Sequence, residues 1–210
     1  MANNFVVVIT GLETIQQFDR YKDNIEFNTV RMLNTVARDA RTDGQERIMS
    51  QINYSSGYLN PAGKRFYVSQ KATRARPEAR ILARGRPTSL ARFVTSNPGV
   101  GKEGVTVQVE TGKSTFLPKA FLLKLPAGSE PIETRFNMGL AVRLRPGETL
   151  RNKSTTTRVK SGLYMLYGPS VSQVFIDNAG NGVAKDLEPS VLNHMETEFL
   201  RLMEWKKNGR

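Results

Sequence analysis

The apolar residues of this chain change their spacing twice, and the change sets the fold class. From about Asn24 to Ile52 they recur every three or four positions: Val30, Leu33, Val36, Ala37 and Ala40, then Ile48 and Ile52. The same spacing returns near the other end in Leu187, Val191, Met195, Phe199 and Leu202, with Trp205, over Leu187 to Lys206. Three-to-four spacing places side chains along one side of a helix. In between, Val105-Thr106-Val107-Gln108-Val109-Glu110 and the stretch Met138 to Leu144 alternate residue by residue, the period of a strand with one buried face. The β-branched run Phe5-Val6-Val7-Val8-Ile9-Thr10, stopped by Gly11, is a strand as well. Glu78 to Arg84 and Phe116 to Leu125 read as further strands, and Leu90 to Phe93 as a short element. Strand, helices, several strands and a final helix predict an α+β fold: an antiparallel sheet packed with N-terminal helices and a C-terminal helix.

Turn-forming residues divide these segments. Gly44 interrupts the long helical pattern and reads as a kink or a break between two helices. A short helix is expected over Glu13 to Asp19, with Leu12, Ile15 and Phe18 on one face. Tyr54 to Lys64, with Ser55-Ser56-Gly57 and Asn60-Pro61-Ala62-Gly63, is a loop, and Arg145-Pro146-Gly147 and Asn178 to Gly182 are turns. Phe66 to Ala75 fits no single period. Residues 151–161, polar, basic and rich in threonine, are expected to form a flexible loop. Tyr164 to Ser170 leads into a helix start, with Ser170 as a candidate cap. A length of 210 residues suits one domain spanning 1–210.

Composition narrows the chemistry. The longest unbroken apolar run, Phe5–Ile9, is far below the roughly 20 residues of a spanning helix. It is also too short for a signal peptide, so the expectation is synthesis in the cytoplasm and no membrane partner. The absence of cysteine excludes disulfides, thiolate zinc sites and cysteine nucleophiles, and a single histidine, His194, excludes a histidine metal cluster. Gly112-Lys113-Ser114-Thr115 matches the second half of a phosphate-binding loop. The first glycine of that motif would fall at Val107, inside an alternating strand, so the segment reads as a hairpin turn. His194-Met195-Glu196-Thr197-Glu198 lacks the second histidine of a helical zinc motif. No catalytic residues, no metal site and no cofactor are expected, and the chain is read as a non-enzyme.

The net charge of +12 is unevenly spread. Residues 1–53 carry six basic and seven acidic side chains, and residues 185–210 carry five of each. The surplus lies between them. Lys64, Arg65, Lys71, Arg74, Arg76, Arg80, Arg84, Arg86 and Arg92 face one acid, Glu78. Arg135, Arg143, Arg145, Arg151, Lys153, Arg158 and Lys160 face Glu148. A basic surface of this kind attracts nucleic acid or an acidic protein face, and arginine suits both by making bidentate contacts. The candidate contact residues are Arg74, Arg76, Arg80, Arg84, Arg86, Arg92, Arg143, Arg145, Arg151, Lys153, Arg158 and Lys160. Phe66, Tyr67, Phe93, Phe136, Tyr164 and Tyr167 are interleaved with them. Such aromatics either stack on single-stranded bases or belong to a core or interface.

Four stretches carry a resemblance over nearly the whole chain. The first is Val8-Ile9-Thr10-Gly11-Leu12 before the long helix. The second is Asn34-Thr35-Val36-Ala37-Arg38-Asp39-Ala40-Arg41. The third is Lys71-Ala72-Thr73, then Ala79-Arg80-Ile81 and Gly85-Arg86-Pro87-Thr88-Ser89-Leu90-Ala91-Arg92-Phe93. The fourth is Pro118-Lys119-Ala120-Phe121, followed by Leu166-Tyr167-Gly168-Pro169-Ser170-Val171 and a closing helix. In this order they resemble the phage minor tail protein Z family, also described as tail completion proteins. More distantly, the chain is similar to a tail-component family typified by a head–tail joining protein. It departs at Asn34-Thr35-Val36-Ala37, where the usual arginine after asparagine is missing. The resemblance implies a structural virion protein near the head–tail junction (neck) or tail end of a tailed phage, needed for an infectious particle. It implies partners among copies of itself in a six-fold ring, tail terminator, tail tube or head–tail connector proteins, and phage DNA in the channel. The alternative is a nucleic-acid-binding protein using the arginine-rich middle.

Overall fold

Thirty residues of uninterrupted helix, Lys22–Gln51 (α1), form the longest element of the computed structural model. The structure describes residues 5–10, 22–55, 57–96, 98–125, 138–149, 156–160, 162–177 and 182–207. The helix expected at Glu13 to Asp19, the residues 151–155 of the basic loop and most of the Asn178 to Gly182 turn lie outside these. The remaining elements are strands β1 (Phe5–Thr10), β2 (Phe66–Gln70), β3 (Glu78–Ala83), β4 (Thr88–Ser89), β5 (Glu103–Val107), β6 (Thr115–Lys124), β7 (Met138–Arg143), β8 (Thr156–Lys160) and β9 (Leu163–Gly168), and helices α2 (Val171–Ile176) and α3 (Val183–Lys207). Short 3₁₀ turns occupy Pro61–Gly63 and Leu90–Phe93. The architecture is α+β, with helices and antiparallel sheets.

The chain, expected as one domain, groups into two compact units. The first comprises Met1–Ile48, Asn60–Gly85 and Ser172–Arg210. Its sheet has the order β1-β3-β2, antiparallel throughout, with Phe5 opposite Ala83 and Thr10 opposite Glu78. The apolar stripe of α1 does what its spacing predicts. Met32, Leu33, Val36 and Ala37 are buried in one cluster with Ala72, Ala79 and Leu202, and Val191, Met195 and Phe199 of α3 pack against it.

Gly44 does not break α1. Its bare Cα is the point of closest approach: a Cβ there would lie 3.0 Å from the Phe66 ring and 3.3 Å from Leu187 Cδ1. Glycine here serves tight packing, and its helix-propensity cost of about 1 kcal/mol relative to alanine is the accompanying penalty. Phe66 in turn meets Phe175 edge-on, with ring centroids 4.9 Å apart.

The second unit comprises Met49–Leu59 and Arg86–Val171. Its strands run β4-β9-β7-β6-β5, with β8 also paired to β9. All the ladders are antiparallel. The expected flexible loop is therefore in part a strand: Thr156–Lys160 forms β8, hydrogen-bonded along Leu163 to Leu166. Threonine and valine at 156, 157 and 159 favour extended backbone. The segment from Tyr164 towards Ser170, expected as the approach to a helix, is largely strand β9, and α2 starts at Val171. One side of this unit is closed by aromatic packing. Tyr54 stacks on Tyr58 at 4.8 Å and lies 5.5 Å from Phe93, all three buried. The Tyr54 hydroxyl donates to the Pro169 carbonyl at 3.1 Å, and burial raises its pKa well above the ordinary tyrosine value. The Gly112-Lys113-Ser114-Thr115 string is the hairpin turn between β5 and β6, with Gly112 at φ +81° and the Lys113 N–H donating to Glu110 O.

The stretches that carry the family resemblance meet in these packings. Asn34, from the second, bonds the backbone of Ala72, from the third, in both directions. Its Nδ2 donates to Ala72 O at 3.0 Å and its Oδ1 accepts from Ala72 N at 2.9 Å. Arg41 donates from Nε to Phe66 O at 3.1 Å. Phe93, from the third, fills the space over Gly168, from the fourth, where a Cβ would lie 3.0 Å from the ring. Removing the amide leaves two partly buried backbone groups unmatched, so Asn34→Ala is expected to destabilise the chain by about 1–3 kcal/mol. A urea-denaturation midpoint unchanged by Asn34→Ala would contradict this latch.

Candidate basic interface

An exposed arginine attracts a partner only if its own fold does not use it. In the first unit the candidates are largely used. The Arg80 Nε pairs with the Glu78 carboxylate, and this hydrogen bond holds Glu78 below the usual glutamate range. Arg76 donates from Nη1 to Gln70 Oε1 at 3.3 Å. The Arg74 guanidinium lies 5.8 Å from the centroid of the Phe27 ring, which Arg31 also approaches at 5.6 Å. Arg84 is half-buried and works through its backbone, donating to Arg65 O and accepting from Ser172 N. Outside the candidate set, Arg65 is buried and Arg201 makes two bonds of 2.6 Å to Glu198.

In the second unit the pattern differs. Arg92 lies 5.1 Å over the Tyr58 ring and belongs to the aromatic packing. Arg86 is exposed. Arg143, Arg145 and Arg158 are exposed, and among the described residues none of their guanidinium groups makes an ion pair. Arg151 and Lys153 lie outside the described residues. Lys160 is placed by its backbone, opposite Leu163. By sequence this unit holds thirteen basic and five acidic side chains, a net +8 of the chain's +12. The first unit, with eighteen against fourteen, holds +4.

The strand register brings these cations together from distant parts of the chain. Ala120 pairs with Val142, so Lys119 and Arg143, the next residues outward on β6 and β7, leave the ladder at the same end and on the same face. Arg143 pairs with Leu163, and Leu163 with Lys160. Arg145 lies two residues past Arg143, just beyond the strand end where the Leu144 N–H donates to Gly162 O. Arg158 pairs with Tyr164, which pairs with Val142, and these occupy the opposite face. Sequence reasoning missed Lys119, which falls outside both basic clusters and joins this row only through β6–β7 pairing.

One acid sits among them. The Glu148 carboxylate accepts from Lys119 Nζ at 2.6 Å and from the Arg145 backbone N–H at 3.0 Å. These bonds, the lysine first, hold its pKa below the usual glutamate range. The interleaved aromatics have other roles: Phe66 and Phe93 are core residues, Tyr67, Tyr164 and Tyr167 are half-buried, and Phe136 lies outside the described residues. His194 Nε2 lies 3.8 Å from the Asp39 carboxylate between α3 and α1. No described helix is long and apolar enough to cross a membrane. Comparison of the chain with family models, with curated proteins and with solved structures finds no match.

Because the folded pKa of Glu148 is depressed, the ordering it gives the Arg145–Glu148 turn is present above the ordinary glutamate range and is lost as pH falls through the folded value. In an NMR titration the Glu148 carboxyl should titrate below a free glutamate, and the Arg145 amide should follow the same midpoint. Titration at or above the ordinary value would contradict the arrangement.

Proposed function

We propose that this chain is a structural virion protein of a tailed phage: a minor tail or tail completion protein at the head–tail junction or tail end. The observation that carries the reading is the full-length order of four stretches resembling tail completion proteins, whose members pack on one another pairwise. Asn34 holds Ala72, and Phe93 covers Gly168. Residues that carry the resemblance thus act as fasteners of the fold, which fits a role in structure.

In this proposal the role is assembly and not catalysis. Copies of the chain associate head to tail in a ring, since a heterologous contact closes when its rotation does. The ring meets tail terminator, tail tube or connector proteins, encloses the DNA channel, and is needed for an infectious particle. Reconstruction of the intact phage is expected to place several copies of the chain at the neck or tail end, with particles from a strain lacking the gene non-infectious. Infectious particles in which mass spectrometry finds no trace of the chain would refute the proposal.

A further inference from the structure

The row that the register assembles in the second unit has an unusual charge balance. Lys119 and Arg143 stand on neighbouring strands of one face, about 4.8 Å apart at the ladder spacing. Arg145 follows two residues beyond Arg143. Like charges on facing strand positions cost stability, and Glu148, bonded to Lys119, offsets only part of that cost. Among the described residues Glu148 is the acid bonded to this row, and it serves Lys119 and the Arg145 backbone. Neither the Arg143 nor the Arg145 guanidinium makes an ion pair among the described residues, although the Arg145 charge acts on Glu148 through space.

The balanced charge of the two long helices argues against another copy of this chain as the source of the counter-charge. α1 carries five acidic and five basic residues, and α3 carries five acidic against four basic. No described element of the chain is strongly acidic, whereas the second unit as a whole is at +8. This favours a separate polyanion as the partner. Planar arginine heads bond phosphate oxygens in bidentate fashion. Arg143 ends a paired strand and Arg145 lies in a turn whose backbone Glu148 bonds, so both are positioned before the partner arrives and less loop ordering is lost on binding. Cations on strand ends neutralise phosphates and leave base edges unread.

We infer that the face bearing Lys119, Arg143 and Arg145 is a docking surface for the sugar–phosphate backbone of nucleic acid, bound without regard to sequence. The inference rests on register and charge alone, so it stands or falls separately from the virion proposal. The Arg74, Arg76, Arg80 and Arg84 group in the first unit takes no part in it, and neither does Arg158 on the opposite face of the sheet.

The test titrates a labelled mixed-sequence DNA duplex with the full chain between about 50 and 200 mM salt, where phosphate contacts weaken most visibly. With Lys119 already paired to Glu148, two phosphates neutralised by Arg143 and Arg145 predict a slope of log affinity against log salt of about −1.8 or steeper. Arg143→Ala and Arg145→Ala should each make that slope shallower by about one, equally for unrelated sequences. Arg143→Lys, which keeps the charge, should retain the slope. Arg158→Ala and Arg76→Ala should leave it unchanged, and the denaturation midpoint of each variant checks that it is folded. Absence of salt-dependent binding overturns the inference, as does an equal loss of slope on Arg158→Ala. Polyglutamate displacing the duplex at equal charge concentration also overturns it, since that would mark the face as a site for an acidic protein.

Discussion

The first unit depends on one contact line, the apolar stripe of α1. Met32, Leu33, Val36 and Ala37 are buried against Ala72, Ala79 and the α3 residue Leu202, so a single helix joins the sheet to the chain's last helix. Small residues on that stripe permit the approach. Ala37 and Ala40 are buried, and Gly44 leaves room for Phe66 and Leu187. Polar side chains beside the stripe then fix the register. Asn34 spends both halves of its amide on Ala72, and Asn28 Nδ2 donates to Leu202 O at 3.3 Å. Hydrophobic burial supplies the driving force, and these directed bonds select one arrangement from the many that burial alone would allow.

Charge is handled differently in the two units. In the first, arginines are absorbed by the fold itself, on Glu78, Glu198, the Phe66 carbonyl and the Phe27 ring. The two ion pairs, on Glu78 and Glu198, contribute little stability each, but they offset the charge of the cations they hold, while the carbonyl and the ring position theirs without neutralising them. In the second, Arg143, Arg145 and Arg158 stand exposed in a unit whose five acids cannot balance thirteen bases. The long-range field of the chain therefore arises mainly from the second unit. That surplus is compatible with a ring protein around DNA and, equally, with any protein that meets a polyanion.

Much of the fold was legible from spacing. The α1 and α3 stripes and the alternation at Val105 report burial on one face, which is a local property of the sequence, and the β-branched Phe5–Thr10 run reports extended backbone; β7, expected to have one buried face, is instead buried on both, from Gly139 to Val142. Gly44 reads in sequence as a kink or a break, and the break is absent, because glycine's helix-breaking tendency is local while the Phe66 and Leu187 contacts that use it are not. Thr156–Lys160 was misread because its pairing partner, β9, decides its conformation more than its composition does. The basic residues were legible as a set but not by role. Arg80 and Arg143 look alike in sequence, and only a neighbouring Glu78 or its lack separates them. Lys119 entered the row through strand register, which no composition window detects.

The account turns on which cations are available. Arginine-selective modification of the native chain, mapped residue by residue by mass spectrometry, reads this directly. The account predicts fast modification of Arg143, Arg145 and Arg158, and slow modification of Arg41, Arg80, Arg92 and Arg201, which the fold engages. Uniform rates across all seven, or protection of Arg143 and Arg145 in the isolated chain, would contradict it.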